Sequence, residues 1–258
     1  MDEKSPIGYY LWMNEDELLM RYKRHLMLPQ MDMAGQEKLF AASVLVIGAG
    51  GLGSPVLLYL AAAGVGHLNI YDPDLVEVSN LQRQILHDGS KLGRPKSESA
   101  QEHLAAINPD VTVTASTERL QADELLAQVA SADLVIDCSD NFSTRFEVNR
   151  ACVAHARPLV SGAVIRMEGQ VSVFKGHLAD APCYRCLYQE DEYNDETCTS
   201  SGVLGPVVGI IGSIQATEAI KLLTGIGDDL CGRLLLLDAA AMRFNEIRLK
   251  KDPGCPVC

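Results

Sequence analysis

A short glycine-rich stretch constrains the fold of this chain more than any other feature of the sequence. Residues 44–47 form an aliphatic, β-branched run, and residues 54–63 have a helical pattern. Four glycines lie between them, and three of these, Gly48, Gly50 and Gly53, have the spacing G-x-G-x-x-G. At such a strand-to-helix turn, glycines let the backbone approach a phosphate group, and free N–H groups of the helix bind it. The stretch therefore predicts a nucleotide-binding turn.

An acidic residue at the end of the next predicted strand supports this interpretation. Asp72 follows the strand pattern at residues 67–71 and lies 22 residues after Gly50. In dinucleotide-binding folds, a carboxylate at this place accepts hydrogen bonds from ribose hydroxyls. A tight turn with an unrelated strand-end Asp is the alternative, but strand, glycines, helix and acid in register favour nucleotide binding. The motif leaves open whether the nucleotide is NAD or ATP.

The order of strand and helix patterns indicates an α/β fold. Strand patterns at residues 44–47, 67–71, 111–115 and 134–136 alternate with helical patterns at residues 54–63, 98–107 and 122–129. Such alternation predicts a Rossmann-like, mostly parallel sheet with helices on both faces. After Pro158 the patterns change to a hairpin around Glu168 and Gly169, a glycine-rich helix and two last strands. We therefore expect a C-terminal antiparallel extension of the sheet.

The chain is expected to form one continuous domain over residues 1–258, because no repeat or low-complexity linker interrupts it. Within that domain, residues 1–40 have the pattern of a helical N-terminal segment. Residues 41–160 form the nucleotide-binding, Rossmann-like half, and residues 161–258 form the second half, which contains the cysteine pairs.

The charge of the chain narrows the range of partners. Twenty-two Lys and Arg residues against 34 Asp and Glu residues give a formal net charge of −12, which argues against nucleic acid or an anionic membrane as the main partner. Residues 39–71 and 197–217 carry no Asp, Glu, Lys or Arg, but both contain several glycines. Tight packing inside a soluble protein explains these two segments better than membrane spans. The first residues lack a secretory pattern, so we expect a cytoplasmic protein.

Four cysteines in two C-x-x-C pairs predict a structural zinc site. Cys183 and Cys186 form one pair, Cys255 and Cys258 form the other, and 68 residues separate the pairs. Four thiolates are the closed tetrahedral ligand set of structural zinc, with no position left open for catalysis. Two redox pairs and chance spacing are the alternatives, but a redox pair normally opens a helix in a thioredoxin-like unit.

The other cysteines show no metal-ligand spacing. Cys138 and Cys152 lie in apolar stretches and are expected to be small core residues. Cys231 is expected in a loop. Cys198 lies between an acidic stretch and the start of a predicted helix, and its spacing alone indicates a structural or incidental thiol.

Charged side chains downstream of the glycine turn point to a polyphosphate ligand. Arg83 and Lys96 follow Asp72 in a net-acidic chain, and cations of this kind neutralise phosphate oxygens. Taken alone, these two residues are explained equally well as ordinary surface charge. Asp140 and Asn141 lie at the carboxyl end of a predicted central strand, where open α/β sheets bind ligands. A carboxylate there can hold Mg²⁺ against phosphates.

Taken in order along the chain, these motifs resemble those of the ubiquitin-activating enzyme superfamily. The matching segments are residues 48–53, 79–84, 94–97 and 137–141, together with the paired C-x-x-C motifs. The chain is most similar to the bacterial branch that adenylates sulfur-carrier proteins, and the resemblance extends from about Arg21 to Cys258. Residues 161–170 resemble the members of that branch that serve molybdenum cofactor biosynthesis, and the thiamine-pathway members are nearly as similar elsewhere.

The resemblance implies an enzyme that uses ATP and Mg²⁺ to adenylate the C-terminal Gly-Gly carboxylate of a small ubiquitin-like sulfur carrier. The carboxylate would attack the α-phosphate, and pyrophosphate would leave, in a reaction that needs mainly positioning and charge neutralisation. The expected carrier is the small subunit of molybdopterin synthase, with the thiamine-pathway carrier as the alternative. Residues 161–258 would then hold the carrier-binding surface, the crossover loop and the zinc site.

The same resemblance implies roles for individual residues. Nucleotide binding would fall to Gly48, Gly50, Gly51, Gly53, Asp72, Asn80, Arg83, Lys96, Asp140 and Asn141. Gly51 and its neighbours would surround phosphate, and Asp72 would hold the ribose. Arg83 and Lys96 would balance the phosphate charge, while Asp140 would position Mg²⁺. The catalytic residues would be Arg24, Arg83, Lys96, Asp140 and Cys198.

Two further expectations rest on the resemblance. Arg24 would enter the active site of the other subunit of a homodimer, and His25 replaces the Gln that usually follows this Arg. Cys198 matches the cysteine of the crossover loop, which in the thiamine branch can bond covalently to the carrier. Whether Cys198 reacts in this chain stays open.

Two functions from other classes are alternatives. The glycine turn and Asp72 would also suit an NAD-dependent oxidoreductase. A zinc-stabilised binding module that has kept the nucleotide fold without catalysis is the other alternative.

Overall fold

The computed structural model of the chain describes residues 15–190 and 202–258. Its helices are α1 Glu15–Leu26, α2 Asp32–Ala41, α3 Gly53–Ala62, α4 Lys96–Ile107, α5 Ala122–Ser131, α6 Phe142–Ala154, α7 Tyr184–Leu187 and α8 Gly205–Thr224. Its strands are β1 Ser43–Ile47, β2 His67–Tyr71, β3 Thr112–Ser116, β4 Leu134–Asp137, β5 Leu159–Ile165, β6 Glu168–Phe174, β7 Arg233–Asp238 and β8 Arg243–Arg248. Short 3-10 turns at Val78–Asn80 and Gly89–Lys91 lie in the segment between β2 and α4.

The strands of the described residues form one sheet in the order β3-β2-β1-β4-β5-β6-β7-β8. The five strands from β3 to β5 pair in parallel. The strands β6, β7 and β8 each run antiparallel to their neighbours. This arrangement confirms the predicted mostly parallel, Rossmann-like sheet with an antiparallel C-terminal extension.

Apolar side chains of β1 pack on both faces of the sheet, because helices cover both faces. Val46 belongs to the apolar cluster that contains Leu57 of α3. Leu45, its neighbour along the strand, belongs to a second cluster that contains Phe146 of α6. Successive residues of a strand point to opposite faces, so a strand between two helix layers needs a continuous apolar run. The helices on both faces confirm the prediction.

The chain reverses its direction of travel across the sheet at β1 and β4. From β1 it continues to β2 and β3 on one side, and it then returns to β4 on the other side of β1. Ile47 and Asp137 pair at the carboxyl ends of these two strands. Open α/β sheets bind ligands in the crevice at such a point. The fold therefore brings the glycine turn after β1 next to the residues that follow β4.

Two elements differ from the sequence-based expectation. The patterns predict no helix at α6, whose buried residues include Arg145 and Asn149, so that no clean apolar stripe marks it. The predicted hairpin between β5 and β6 forms, but Glu168 already pairs with Ile165. The turn therefore consists of Arg166 and Met167, and Arg166 has a φ of 55°.

The glycine-rich helix α8 packs tightly against the rest of the protein. A Cβ at Gly212 would lie 2.4 Å from Pro55 Cγ and 2.6 Å from the Leu52 carbonyl oxygen, which confirms the predicted close packing at this position. By length and composition α8 is the one helix of the described residues that could cross a membrane, and half of its most apolar stretch is buried inside the protein. The core helix of a soluble protein passes the same test.

Candidate functional site

A cavity of about 870 Å³ opens at the carboxyl ends of β1 and β4. Its size is that of a pocket for a small organic ligand. The predicted nucleotide-binding residues that line it are Gly48, Gly50, Gly51, Asp72, Arg83, Lys96, Asp140 and Asn141. These residues come from separate segments of the chain, so the fold brings together most of the predicted set at the predicted end of the sheet.

The predicted glycines serve different purposes in the turn. Gly48 has a φ of +96°, and a Cβ there would lie 2.8 Å from the Cys138 carbonyl oxygen. A Cβ on Gly53, the first residue of α3, would lie 2.0 Å from the Gly48 carbonyl oxygen. Contacts inside the protein therefore exclude side chains at these two positions. A Cβ on Gly50 would instead meet the Gln84 side-chain amide, with Nε2 at 3.5 Å.

Asp72 binds the backbone of the glycine turn. Its Oδ2 atom accepts a 2.7 Å hydrogen bond from the Ala49 N–H group, and its Oδ1 atom accepts a 2.9 Å bond from the Asp74 N–H group. Burial raises the pKa of the Asp72 carboxyl group, and the Lys96 ammonium group partly offsets this effect. A carboxylate has about four acceptor sites, so about two remain for hydroxyl groups of a ligand.

His87 holds the other peptide group of Ala49, and the sequence analysis missed this residue. Its Nε2 atom lies 2.9 Å from the Ala49 carbonyl oxygen, and its Nδ1 atom lies 2.9 Å from the Ser99 hydroxyl. Because a carbonyl oxygen only accepts, Nε2 carries a proton and donates it. Burial lowers the pKa of the His87 ring. A single histidine 38 residues from its partner leaves no pattern in the sequence that could have revealed this role.

The structure shows what holds the two predicted cations at the cavity. The Lys96 side chain is almost buried, and its Nζ atom lies 2.8 Å from the carboxylate of Asp74, which is largely exposed. The Arg83 Nη1 atom donates a 2.9 Å hydrogen bond to the Ser79 carbonyl oxygen. Both positive charges thus lie in the wall of the same cavity as the glycine turn.

The two aspartates at the end of β4 have different surroundings. Asp137 is buried, and its Oδ1 atom accepts a 2.9 Å hydrogen bond from the Ser139 N–H group, which agrees with the structural role that its position suggests. Asp140 is exposed and lines the cavity. Asn141 caps α6, because its Oδ1 atom accepts a 2.9 Å hydrogen bond from the Thr144 N–H group.

Arg145 also lines the cavity, and the sequence analysis missed it as well. Its Nη2 atom donates a 2.7 Å hydrogen bond to the Ser139 carbonyl oxygen, and its Nε atom lies 4.0 Å from Asp137 Oδ2. Its guanidinium carbon lies 5.7 Å from the centre of the Phe142 ring. The unpredicted helix α6 carries this residue, so no local signal marked it.

The four cysteines of the predicted metal site converge. Their Sγ atoms all lie within 4.8 Å of one another. The distance is 3.7 Å between Cys183 and Cys255, and 3.5 Å between Cys186 and Cys258. A tetrahedron with zinc–sulfur bonds of about 2.3 Å places its sulfurs about 3.8 Å apart, whereas a disulfide needs about 2.05 Å. The cluster therefore fits a zinc ion, and none of its residues lines the cavity in the described part of the chain.

The remaining cysteines differ in what the structure shows. Cys138 and Cys152 are buried, as predicted for small core residues, and burial raises the pKa of both thiols. Cys231 precedes β7 and pairs through its backbone with Val173. Cys198 lies outside the described residues.

Three predicted residues do not line the cavity within the described ranges: Arg24, Gly53 and Asn80. Arg24 is exposed near the end of α1. Asn80 is buried in a turn, where its Oδ1 atom accepts a 3.2 Å hydrogen bond from the Glu77 N–H group. Gly53 instead packs against the Gly48 carbonyl oxygen, where no side chain would fit.

Solved structures share the fold of this chain. A crystal structure of MccB from Escherichia coli superposes with a TM-score of 0.82, covering 93% of this chain and 74% of that chain at 22% sequence identity. The structure of PaaA gives a TM-score of 0.79 and covers 98% of this chain and 78% of that chain, also at 22% identity. At this level of identity, the likeness concerns the fold alone.

Curated relatives of known sequence have a higher identity to this chain than these solved structures have. The chain is 48% identical over 243 residues to the molybdopterin-synthase adenylyltransferase of Salmonella typhimurium, covering 94% of this chain and 97% of that protein. It is 45% identical over 243 residues to the sulfur carrier protein ThiS adenylyltransferase of Escherichia coli, covering 94% and 96%. The profile of the ThiF family matches residues 22–257. Since the profile and these relatives span nearly the whole sequence, the chain belongs to the ThiF family.

Proposed function

We propose that the chain transfers AMP from ATP to the C-terminal Gly-Gly carboxylate of a ubiquitin-like sulfur-carrier protein, with Mg²⁺ as the metal ion. Both relatives named above are adenylyltransferases, and the name of one includes a sulfur-carrier protein. The observation that carries the proposal is that Arg83 and Lys96 line one cavity together with the glycine turn and Asp140. Two cations and an exposed carboxylate suit a triphosphate with its metal ion.

In the proposed reaction, a carboxylate oxygen of the carrier attacks the α-phosphorus of ATP. The new oxygen–phosphorus bond forms as the bond from the α-phosphorus to the oxygen that bridges to the β-phosphate breaks. Pyrophosphate leaves with that electron pair, and the carrier retains an acyl-adenylate. Because the protein forms no bond in this step, its contribution is to position the reactants and to stabilise the charge that moves to pyrophosphate.

The residues that line the cavity divide these tasks among them. The backbone around Gly50 and Gly51 would bind phosphate, as helix N-termini with glycine turns do. Asp72 would accept hydrogen bonds from the ribose through the acceptor sites that the backbone leaves open. Arg83 and Lys96 would neutralise phosphate charge. Lys96 has to share its ammonium group between the exposed Asp74 carboxylate and the ligand.

Asp140 is the residue that we assign to magnesium. Its carboxylate is exposed at the cavity and lies one residue before the cap of α6. Oxygen ligands of this kind bind Mg²⁺ together with phosphate oxygens. When bound, the metal ion would reduce the repulsion between the carrier carboxylate and the triphosphate.

The preferred carrier is the small subunit of molybdopterin synthase, which would place the reaction in molybdenum cofactor biosynthesis. Relatives named for the molybdopterin and thiamine pathways are 48% and 45% identical to the chain. This difference is small, so the thiamine-pathway carrier is kept as the second substrate to be tested.

We also propose that the cysteine cluster binds one structural Zn²⁺ per chain. The ion would join the segment at Cys183 and Cys186 to the segment at Cys255 and Cys258, so its binding energy would contribute to folding. The Asn149 side chain, whose Nδ2 atom lies 3.5 Å from Cys183 Sγ, would orient one of the ligands.

A homodimer in which Arg24 enters the partner's cavity is a further part of the proposal. Arg24 is exposed and is not among the residues that line the cavity of its own chain. The segment between β2 and α4 exposes four large apolar side chains, Leu75, Val78, Ile85 and Leu92, and this segment also carries Arg83. Exposed apolar side chains of this kind are what a partner subunit would cover.

The dimer can be tested by mixing two inactive variants, Arg24→Ala and Asp140→Ala. If Arg24 acts across the interface, half of the sites in each mixed dimer are intact, and about a quarter of the wild-type rate returns on full subunit exchange. A mixture that remains inactive while native mass spectrometry shows exchanged dimers would contradict the role of Arg24.

The extent of the domain and the cellular location are two further parts of the proposal. Residues 1–258 would form one adenylation domain, since one sheet runs through both predicted halves without a break between β5 and β6. The protein would work in the cytoplasm, where ATP is available to it.

The decisive experiment measures Mg²⁺-dependent exchange of radioactive pyrophosphate into ATP. We expect exchange with a carrier that ends in Gly-Gly and none with the same carrier lacking these two glycines. Parallel assays with the molybdopterin and thiamine carriers determine which one is the substrate. No exchange with either carrier, combined with tight calorimetric binding of NAD and none of ATP, would replace the proposal by the oxidoreductase alternative.

A further inference from the structure

The Gln84 side-chain amide is buried beside the glycine turn, and its oxygen atom has no hydrogen-bond partner in the described part of the chain. It lines the cavity, only 4% of its surface is exposed, and its Oε1 atom is enclosed without a hydrogen-bond partner among residues 15–190 and 202–258. A Cβ on Gly50 would lie 3.5 Å from Gln84 Nε2 and 3.9 Å from its Cδ atom, so the amide lies against the turn itself. Buried polar groups are normally paired, and an exception calls for a physical reason.

The backbone of Gln84 holds its side chain at this place. Its N–H group donates a 3.0 Å hydrogen bond to the Asn80 carbonyl oxygen, and its carbonyl oxygen accepts a 3.0 Å bond from the His87 N–H group. The ring of His87 is in turn bonded to Ala49 of the glycine turn. The amide is therefore anchored to the same frame as the turn.

A second buried glutamine, Gln36, serves as a comparison, because both ends of its side-chain amide have hydrogen-bond partners. Gln36 is fully buried, and its Nε2 atom donates a 2.8 Å hydrogen bond to the Ala63 carbonyl oxygen. Its Oε1 atom lies 3.0 Å from His25 Nδ1. Both ends of that amide are paired with protein atoms. Gln84 has the same chemistry and nearly the same burial, but the described protein supplies it with no partner.

We propose that Gln84 is a further nucleotide ligand, whose side-chain NH₂ group donates a hydrogen bond to a phosphate oxygen of ATP at the glycine turn. This inference rests on the proposed function, because it takes ATP as the ligand of the cavity. Phosphate oxygens only accept hydrogen bonds, so the NH₂ end is the end that binds them. The Nε2 atom is the end of the amide that lies beside Gly50, so the side chain presents its NH₂ group to the turn without moving its backbone.

Two substitutions at this position separate a ligand from a structural residue. Gln84→Met keeps the length of the side chain and removes its hydrogen bonds, and we expect it to weaken calorimetric ATP binding about tenfold. The same variant, free of nucleotide, should melt at the wild-type temperature or above it, because an unpaired buried amide has been removed. Gln84→Glu should weaken ATP binding more than Gln84→Met, since a carboxylate cannot donate and repels phosphate.

Gln36→Met is the matched control, and it should lower the melting temperature while leaving the affinity for ATP unchanged. Wild-type protein that does not bind ATP would refute the proposed function. If the wild type binds ATP and Gln84→Met binds it equally well, the role of Gln84 alone is refuted. That role is also refuted if Gln84→Glu retains wild-type affinity, or if Gln84→Met melts well below the wild type without nucleotide.

Discussion

The imidazole Nε2 atom of His87 and the carbonyl oxygen of Ala49, 38 residues apart in the chain, lie 2.9 Å from each other in a buried hydrogen bond. The N–H group of Ala49 donates to Asp72 at 2.7 Å. The two peptide groups that flank Ala49 are therefore both tied to the protein, and Gly50 and Gly51, which follow, face the cavity. Because these contacts fix the turn, the proposed nucleotide would need little ordering of the turn on binding.

Removing the imidazole should loosen this turn. We expect His87→Leu to lower the free energy of unfolding by about 1–3 kcal/mol, because it leaves the buried Ala49 carbonyl and Ser99 hydroxyl groups without their partner. Urea unfolding measures the change. The control is His67→Gln on the exposed first position of β2, which should stay within about 0.5 kcal/mol of the wild type. Equal urea midpoints for the two variants would show that the hydrogen bonds of His87 do not stabilise the fold.

The same histidine predicts a loss of stability on acidification. Burial, with the Lys96 and His103 charges, holds the pKa of folded His87 below its ordinary value of 6.5, while the hydrogen bond to the Ala49 carbonyl oxygen and the Asp88 charge act in the opposite direction. Between these two pKa values the unfolded chain binds a proton at this residue and the folded chain does not. The free energy of unfolding therefore decreases as the pH falls through about 6.5.

Unfolding of the wild type and of His87→Gln at roughly pH 7.5 and 5.5 tests this sign. The wild type should lose more stability between the two pH values than the variant, because the other titrating groups are common to both proteins. If the unfolding midpoints of the wild type and the variant change equally with pH, the pKa of His87 does not differ between the folded and the unfolded chain.

We expect Gly53 to be required for stability and Gly50 to be required for ATP binding. Gly53→Ala is expected to cost about 3 kcal/mol of stability, because its Cβ would overlap the Gly48 carbonyl oxygen. Gly50→Ala is expected to cost about 1 kcal/mol or less, since its Cβ meets Gln84 at an ordinary contact distance. Calorimetry of Gly50→Ala should nevertheless show ATP binding weakened by about tenfold, because the methyl group adds bulk where the backbone of the turn is proposed to approach a phosphate. A stable Gly53→Ala protein would contradict this division.

We expect the two aspartates at the end of β4 to differ in the same way, with Asp140 needed for activity and Asp137 for stability. Asp140→Ala is expected to leave stability within about 0.5 kcal/mol of the wild type, because the residue is exposed. It should reduce Mg²⁺-dependent pyrophosphate exchange by about 100-fold or more. Asp137→Ala should instead lower the free energy of unfolding by about 3 kcal/mol, since it removes a buried acceptor and the carboxylate nearest to Arg145. Full exchange activity in Asp140→Ala would remove this residue from the metal site.

The cysteine cluster should contribute to folding and not to the reaction. We expect elemental analysis to find about one zinc ion per chain in the wild type and in Cys231→Ser, whose thiol lies outside the cluster. Cys186→Ser should bind less zinc and melt at a lower temperature. At a temperature where it remains folded, its exchange rate should match that of the wild type. Wild-type protein that carries no zinc after preparation without chelators would refute the site.

Local patterns in the sequence were sufficient to predict the strands and helices that frame the cavity. The strand expected at residues 67–71 is β2 His67–Tyr71, and the glycine-rich helix expected after the hairpin is α8 Gly205–Thr224. Periodic apolar residues mark such elements because each element buries one face or both. α6 was not predicted because it buries Arg145 and Asn149, and the hairpin turn was misplaced because Arg166 adopts a positive φ that is rare for its residue type.

The sequence alone established the strand–turn–helix unit, the alternating α/β order and the two cysteine pairs, all of which depend on short spacings. Contacts between distant residues emerged from the folded chain: Asp72 and His87 at Ala49, and the Gln84 amide at Gly50. Gln36 and Gln84 are the same residue type and are both buried, and nothing in their local sequence separates a paired amide from an unpaired one. Their difference arises because hydrogen bonds depend on where packing brings remote donors and acceptors, and no local periodicity encodes that arrangement.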